Sequence, residues 1–177
     1  MQTKYIKLKQ EYDNYSNELL SKGKLAFRST SKGLWGPSIS DEIFELFQKM
    51  NLHKHSHLLD LGSGDGRVAH IASLFTKSTG IEIDDELHDK ANEIKEKHKL
   101  NSNLIKADFY HHNISDYDVV FINPDTPFYR GLEDKMKKEL NGKLIVYDAT
   151  FRPTSMKLME EFTINGTKIS VFENKRD

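Results

Sequence analysis

The chain has no cysteine, four prolines, one tryptophan and no long apolar run. Each scarcity removes a class of function. Without thiols there is no disulfide framework, no Cys-based zinc site and no cysteine nucleophile. No stretch approaches the ~18 consecutive apolar residues of a bilayer span, and the opening MQTKYIKLKQ lacks the apolar stretch of a secretory signal. These absences set the expectation of a soluble, cytoplasmic protein with no membrane partner. Net charge is nearly absent too. The 26 Lys and Arg against 27 Asp and Glu leave −1, so no global field draws the chain to nucleic acid. The balance is locally uneven, because seven Lys and Arg face three Asp and Glu within residues 1–32. No Pro-rich or low-complexity tract marks a linker, and 177 residues suit one domain, 1–177, with a real core.

What is present is concentrated in LLDLGSGDGR, Leu58 to Arg67. An apolar strand ending in alternating glycines, Gly62, Gly64 and Gly66, lets a nucleotide-like ligand lie against bare backbone, since glycine carries no Cβ and adopts positive φ. The dinucleotide fingerprint G-x-G-x-x-G would need its third glycine where Arg67 stands, which weighs against a nicotinamide dehydrogenase. Asp60 lies inside the strand end, and Glu82 closes the next strand 20 residues after Gly62. A carboxylate there is placed to accept the hydroxyls of a ribose.

The rest of the pattern is α/β. Strands are expected at His57–Leu61, Ser78–Ile83, Asn103–Ala107, Asp118–Ile122 and Lys143–Tyr147, with helices at Gly66–Thr76, Glu86–His98 and Gly131–Leu140. Such alternation implies a parallel sheet with right-handed crossovers. Only Asp108 to Tyr117 separate the third and fourth strands, so that crossover should be short. EFTINGTKISVFE ends the chain with two alternating runs around Asn165-Gly166, the signal for a type I′ hairpin. At the other end, Tyr5, Leu8, Tyr12, Tyr15 and Leu19 recur at helical spacing. Ser21 to Pro37 reads as a glycine- and serine-rich loop. A second helix, capped by Ser38 or Ser40, follows with Ile39, Ile43, Leu46, Phe47 and Met50 on one face.

The Asp60-to-Gly66 turn with Gly80-Ile81-Glu82-Ile83-Asp84 resembles the first two motifs of class I S-adenosylmethionine-dependent methyltransferases, and the order of later segments extends the likeness from about Trp35 to the C-terminus. The resemblance implies a Rossmann-like, doubly wound, mostly parallel seven-stranded sheet whose last strand inserts antiparallel between the fifth and sixth. It implies S-adenosyl-L-methionine as cofactor, with Gly62 and Gly64 along its methionine part, Glu82 on its ribose and Asp108 on the adenine amino group. A second, weaker resemblance is to small archaeal-type and mitochondrial protein-lysine methyltransferases. Gly36-Pro37-Ser38 after Trp35 matches their element before the glycine strand, and GLEDKMKKELNGKLIVYDATF matches their charged helix and fifth strand. That likeness implies Ser38 near the methionine carboxylate and Trp35 bordering the methyl-transfer cavity.

The acceptor should meet the cofactor at the carboxyl end of the fourth strand, beside the glycine turn, where the chain reads DVVFINPDTPF. Asn123 and Asp125 are the candidate catalytic residues, and Asn123 also borders the cofactor. Asn123-Pro124 with Phe128 resembles the N-P-P-Y/F motif of amino-group methyltransferases, although Asp125 and Thr126 replace its second proline and aromatic. Asp148 is a further carboxylate able to take or orient a proton. The histidines at 53, 55 and 57 and the pair at 111 and 112 are read as solvated or capping, and no metal is expected. The expected function is methyl transfer to an amine nitrogen, foremost a protein lysine. The alternatives are a nucleobase of RNA or DNA or another planar amine, or a non-catalytic cofactor-binding partner subunit. Residues 1–32 are expected to form a helical lid over a separate core at 33–177, with the core able to fold without them.

Overall fold

The structure is a computed structural model, in which residues 1–25, 27–30, 33–148 and 150–175 are described, without the side chain of Arg28. Ser31 of the expected loop and residues 176–177 of the expected domain lie outside that set. Seven strands form the central sheet: β3 His57–Leu61, β4 Lys77–Glu82, β5 Asn103–Lys106, β6 Val119–Ile122, β7 Lys143–Tyr147, β8 Lys157–Ile164 and β9 Thr167–Glu173. Their order is β5-β4-β3-β6-β7-β9-β8. The first five are parallel, and β9 lies antiparallel between β7 and β8. This is the sheet that the class I methyltransferase resemblance implies. Asn165 and Gly166 turn the final hairpin at φ 49° and 90°, the pair of positive angles a type I′ turn requires.

Alternation along each strand divides the core. Leu58, Val119, Phe121 and Ile145 face one layer, and Leu59, Leu61, Val120, Ile122 and Leu144 face the other. On the second face lies α5, Leu132–Glu139, through Leu132 and Met136. On the first lie α2 (Ser40–Lys49), α3 (Arg67–Ala72), α4 (Asp85–His98) through Ile94, and α1 (Gln2–Ser21). The crossover from β5 to β6 contains only a single 3-10 turn, Phe109–His111, as its length demands.

The N-terminal region departs from expectation in three ways. First, α1 is core rather than cover. Tyr5 and Leu8 are buried, Tyr12 is fully enclosed, and all three belong to the same apolar cluster as Phe47 and Ile71. Tyr5 stacks on Phe44 with ring centroids 3.8 Å apart. Second, the expected loop contains a small hairpin, β1 Arg28–Thr30 and β2 Gly33–Trp35. Strands of three residues are too short to show a period. Third, α2 is entered from Ile39, whose side chain stays exposed, without a side-chain cap from Ser38 or Ser40. Asp41 and Glu42 in the first turn supply the negative charge its N-terminus favours.

Tyr12 also organises a buried polar cluster. Its hydroxyl lies 2.6 Å from Nδ1 of His70 and 3.2 Å from the carbonyl of Asp65. If His70 Nδ1–H donates to Tyr12, whose O–H donates to Asp65, every proton is used, and only the Nε2 lone pair lacks a partner. Burial pushes the His70 pKa down from 6.5 to about 3. The unfolded chain therefore binds a proton that the folded chain refuses, and stability rises with pH across that window. Denaturant titrations should show stability falling as pH drops from 6.5 to about 5, where few carboxylates titrate, and H70Q should flatten that slope. An equal slope in both proteins would remove His70 as its source.

Candidate active site

The site is built at the carboxyl ends of β3, β4 and β6, where the sheet order reverses direction. Between β3 and α3 the chain passes through Gly62, Gly64 and Gly66 at φ 70°, 53° and 78°, a left-handed run that other residues adopt only under strain. A Cβ on Gly64 would lie 2.1 Å from Nε1 of Trp35, so the turn is bare because the indole rests on it. Glu82, at the end of β4, locks the turn from beside it. Its Oε2 accepts from the Gly64 amide at 2.7 Å, and its Oε1 accepts from Ile83 and Asp84 at 2.8 Å each. A carboxylate has about four acceptor positions. One on Oε2 is left to face the cleft, which Glu82 lines.

Two more acceptors nearby lack partners. Asp60 is buried with no hydrogen bond to Oδ2, and Ser63 Oγ is likewise unpaired. Burial, reinforced by the Glu82 charge, holds the Asp60 carboxyl well above the usual range. Behind the turn, Arg67 pairs with Asp65 at 2.8 Å, donates to the carbonyl of Ser38 at 3.0 Å, and lies over the Tyr12 ring at 4.7 Å. This buried cation ties α1, the segment before α2, and the glycine turn into one unit.

The opposite wall is β1–β2. Asp125 Oδ2 accepts from the Leu34 amide at 2.8 Å, and Asn123 Nδ2 donates to the Gly36 carbonyl at 3.4 Å. The small hairpin is thus clasped to the loop after β6, and the clasp divides the cleft. One part, of about 240 Å³, is lined by Gly62, Glu82, Leu87, Asp108, Phe109 and Tyr110. The other, of about 400 Å³, is lined by Ser38, Asp60, Phe121, Tyr147, Asp148 and Phe151 among others. Leu34, Trp35, Gly62, Asn123, Pro124 and Asp125 belong to both. Asp108 accepts from the Tyr110 amide at 3.0 Å, which fixes its carboxylate at the rim of the first part. Tyr147 donates to the buried Glu42, and both burial and that carboxylate raise its pKa. Its hydroxyl stays neutral.

The family model described as "Histone methylation protein DOT1" matches residues 15–171. The chain belongs to that family. It is therefore a class I S-adenosylmethionine-dependent methyltransferase, an enzyme whose cofactor is S-adenosylmethionine. Among solved structures, an RNA methyltransferase from Salinibacter ruber in complex with S-adenosyl-L-homocysteine aligns at TM-score 0.67 and 22% identity, over 80% of this chain and 95% of that one. A putative methyltransferase from Escherichia coli aligns at 0.61 and 17%, over 80% and 89%. A putative RNA methyltransferase from Pyrococcus horikoshii aligns at 0.59 and 18%, over 76% and 81%. At such identities the likeness is one of fold. No curated protein matches.

This methyltransferase brings Trp35, Ser38, Asp60, Gly62, Glu82, Asp108, Asn123 and Asp125 to one divided cleft, while Gly64 is buried beneath the Trp35 indole and lines neither part. The exposed backbone at Gly62, the one free acceptor position of Glu82, and the unpaired Oδ2 of Asp60 and Oγ of Ser63 fit a ligand carrying hydroxyl and ammonium donors. Sequence reasoning missed Tyr12, Arg67 and His70, which support the turn from outside the cleft. Arg67 stood inside the motif, and Tyr12 on the noted stripe. Three of the noted histidines have partners within the fold: His55 pairs with Asp118, His57 with Thr79 and His112 with Tyr117. Among the described residues no group of three or more ligands is suited to a metal ion, and no helix is long and apolar enough to cross a membrane.

Glu82→Ala should weaken S-adenosylhomocysteine binding at least tenfold, because a hydrogen bond to a charged acceptor is worth about 1.5–3 kcal/mol and the Gly64 amide loses its anchor as well. Calorimetry on the folded variant showing unchanged affinity would take Glu82 out of the site.

Proposed function

We propose that this methyltransferase transfers the methyl group of S-adenosylmethionine to an amine nitrogen, that of a protein lysine side chain. The observation that carries the reading is the lining of the larger part of the cleft. Trp35, Phe121, Tyr147 and Phe151 share it with Asp125 and Asp148. Aromatic faces and carboxylates attract an alkylammonium, by cation–π and Coulomb terms together. Among the described residues no lysine lines either part, and the one arginine, Arg67, is already paired with Asp65. The family's description as a histone methylation protein agrees with a protein acceptor. A cytoplasmic location is part of the same reading, from the chain's lack of cysteine.

The cofactor supplies an electrophilic methyl group on a sulfonium, and displacement forms the N–CH3 bond as the S–CH3 bond breaks. The protein's tasks are orientation and removal of a proton. Glu82 would accept from the ribose, Asp108 would meet the adenine amino group, and Gly62 and Gly64 would give the backbone approach. Ser38, Trp35 and Asp60 would border its methionine end. At the acceptor side, Asn123 keeps its Oδ1 to accept from the incoming amine while its Nδ2 holds Gly36. Asp125 steadies the wall through Leu34, and Asp148 at the end of β7 is in position to take the ammonium proton.

Asn123→Ala and Asp125→Ala should each lower turnover by about tenfold or more while cofactor affinity stays within a few-fold, the sign of interactions used in the transition state. Loss of cofactor affinity to the same degree would move the loop into the cofactor pocket. The acceptor class is tested by giving the purified enzyme labelled cofactor and fractionated lysate. Label recovered as methyl-lysine supports the reading, and label in RNA replaces it with a nucleobase acceptor. The exposed Tyr110, stacked on Phe109 at 4.7 Å, is the feature that favours that second reading.

A further inference from the structure

The mouth of the larger part of the cleft is apolar. Phe27, Leu34 and Ile39 line it and are 63%, 55% and 53% exposed, whereas the neighbouring Trp35 is 9% exposed. Each is held from behind. The Phe27 ring lies against Gly36, where a Cβ would come within 2.5 Å of it. Leu34 is fixed through its amide by Asp125, and Ile39 through its amide by the Tyr147 hydroxyl at 3.2 Å. Three large apolar side chains, anchored by backbone and left in water around one opening, form the kind of patch that marks an interaction surface. Beneath them lie the carboxylates of Asp125 and Asp148. The opening is negative inside and greasy at its edge.

We propose that Phe27, Leu34 and Ile39 form a docking rim for a protein substrate, which selects lysines flanked on both sides by apolar residues. The proposal rests on the lysine reading given above. A lysine is an ammonium on an apolar stem, so its head suits the carboxylates while its methylenes pass through an apolar collar. The side chains on either side of it then cover the rim. A basic segment would leave the rim in contact with hydrated charge. A polynucleotide would bring phosphates to a mouth that offers no free cation among its described residues.

Synthetic peptides with a central lysine and either Leu/Phe, Ser or Arg on both sides, assayed with the full chain and labelled S-adenosylmethionine, test this. The apolar-flanked peptide should exceed the Ser-flanked one at least tenfold in kcat/KM, about 1.4 kcal/mol, with the difference in KM. Phe27→Ser and Ile39→Ser should reduce that ratio to about twofold, with calorimetric affinity for S-adenosylhomocysteine kept as evidence of an intact fold. Equal use of all flanks by the unaltered enzyme, or a full preference in both variants, would overturn the rim and leave the lysine reading standing. Label entering RNA and no lysine of peptide or protein would overturn both.

Discussion

Deletion of residues 1–22 should abolish cooperative folding rather than merely expose the active site. Tyr5, Leu8 and Tyr12 are 4%, 0% and 0% exposed, and burying a large apolar side chain contributes about 1.5–3 kcal/mol. Together they account for roughly 5–9 kcal/mol, on the order of a whole domain's net stability of about 5–15 kcal/mol. The deletion would also strip the partner from His70 Nδ1 and the aromatic face from Arg67, leaving buried polar groups unmatched. Thermal unfolding followed by circular dichroism should lose its sigmoidal transition. Leu8→Ala offers a gentler probe of the same packing, with an expected loss of about 2–5 kcal/mol in a denaturant titration. A truncated protein that melts cooperatively within a few degrees of the full chain and still binds S-adenosylhomocysteine would restore α1 to the status of a dispensable cover.

The helical stripe was readable in the sequence, but its destination was not. Tyr5, Leu8 and Tyr12 have the same spacing whether the helix closes over a cleft or completes a core, because periodicity reports a face and not its partner. The partner is set by residues far away in the chain, Phe44, Phe47 and His70. The same limit hid the small hairpin. Its clasp joins Leu34 to Asp125 across 91 residues, and neither residue carries a local signal of the other. Where the determinants are local, the reading was close. The β3 and β7 bounds agree at both ends, since apolar strands there run between glycine, asparagine and charged turn residues. Asn165-Gly166 carries its own turn chemistry. The Asp60-to-Gly66 motif and Glu82 were visible as candidate cofactor residues because glycine spacing and an acidic strand end are one-dimensional features. Their mutual lock, through the Gly64 amide, emerges only when β3 and β4 lie side by side. The apolar rim was missed because Phe27 and Leu34 fall in the stretch that reads as a loop, and Ile39 carries the spacing of the second helix's apolar face although its side chain is exposed.

Gly64→Val should remove detectable cofactor binding while leaving the protein folded. Three effects converge on that residue. Its φ of 53° lies in the left-handed region, where a β-branched side chain costs on the order of 1–3 kcal/mol. The new Cβ would lie 2.1 Å from Trp35 Nε1 and 2.6 Å from its Cδ1, so the indole must move, and with it the β2 wall of the cleft. Any rotation of the peptide that relieves these contacts also pulls the Gly64 amide off Glu82 Oε2, now 2.7 Å away, and so displaces the Glu82 carboxylate. The apolar core stays out of reach of this change, since Gly64 is buried beneath the Trp35 indole rather than among the core side chains, and α1 braces the turn from the other side through Asp65 and Arg67. Calorimetry with S-adenosylhomocysteine should therefore show no measurable heat of binding, beside a cooperative melt lowered by only a few degrees. Gly64→Ala, with the same Cβ and no branch, should bind weakly, and adding Trp35→Ala should recover part of its loss if the indole is the obstacle. Affinity within threefold of the unaltered enzyme in Gly64→Val would mean that the cofactor does not lie against this turn.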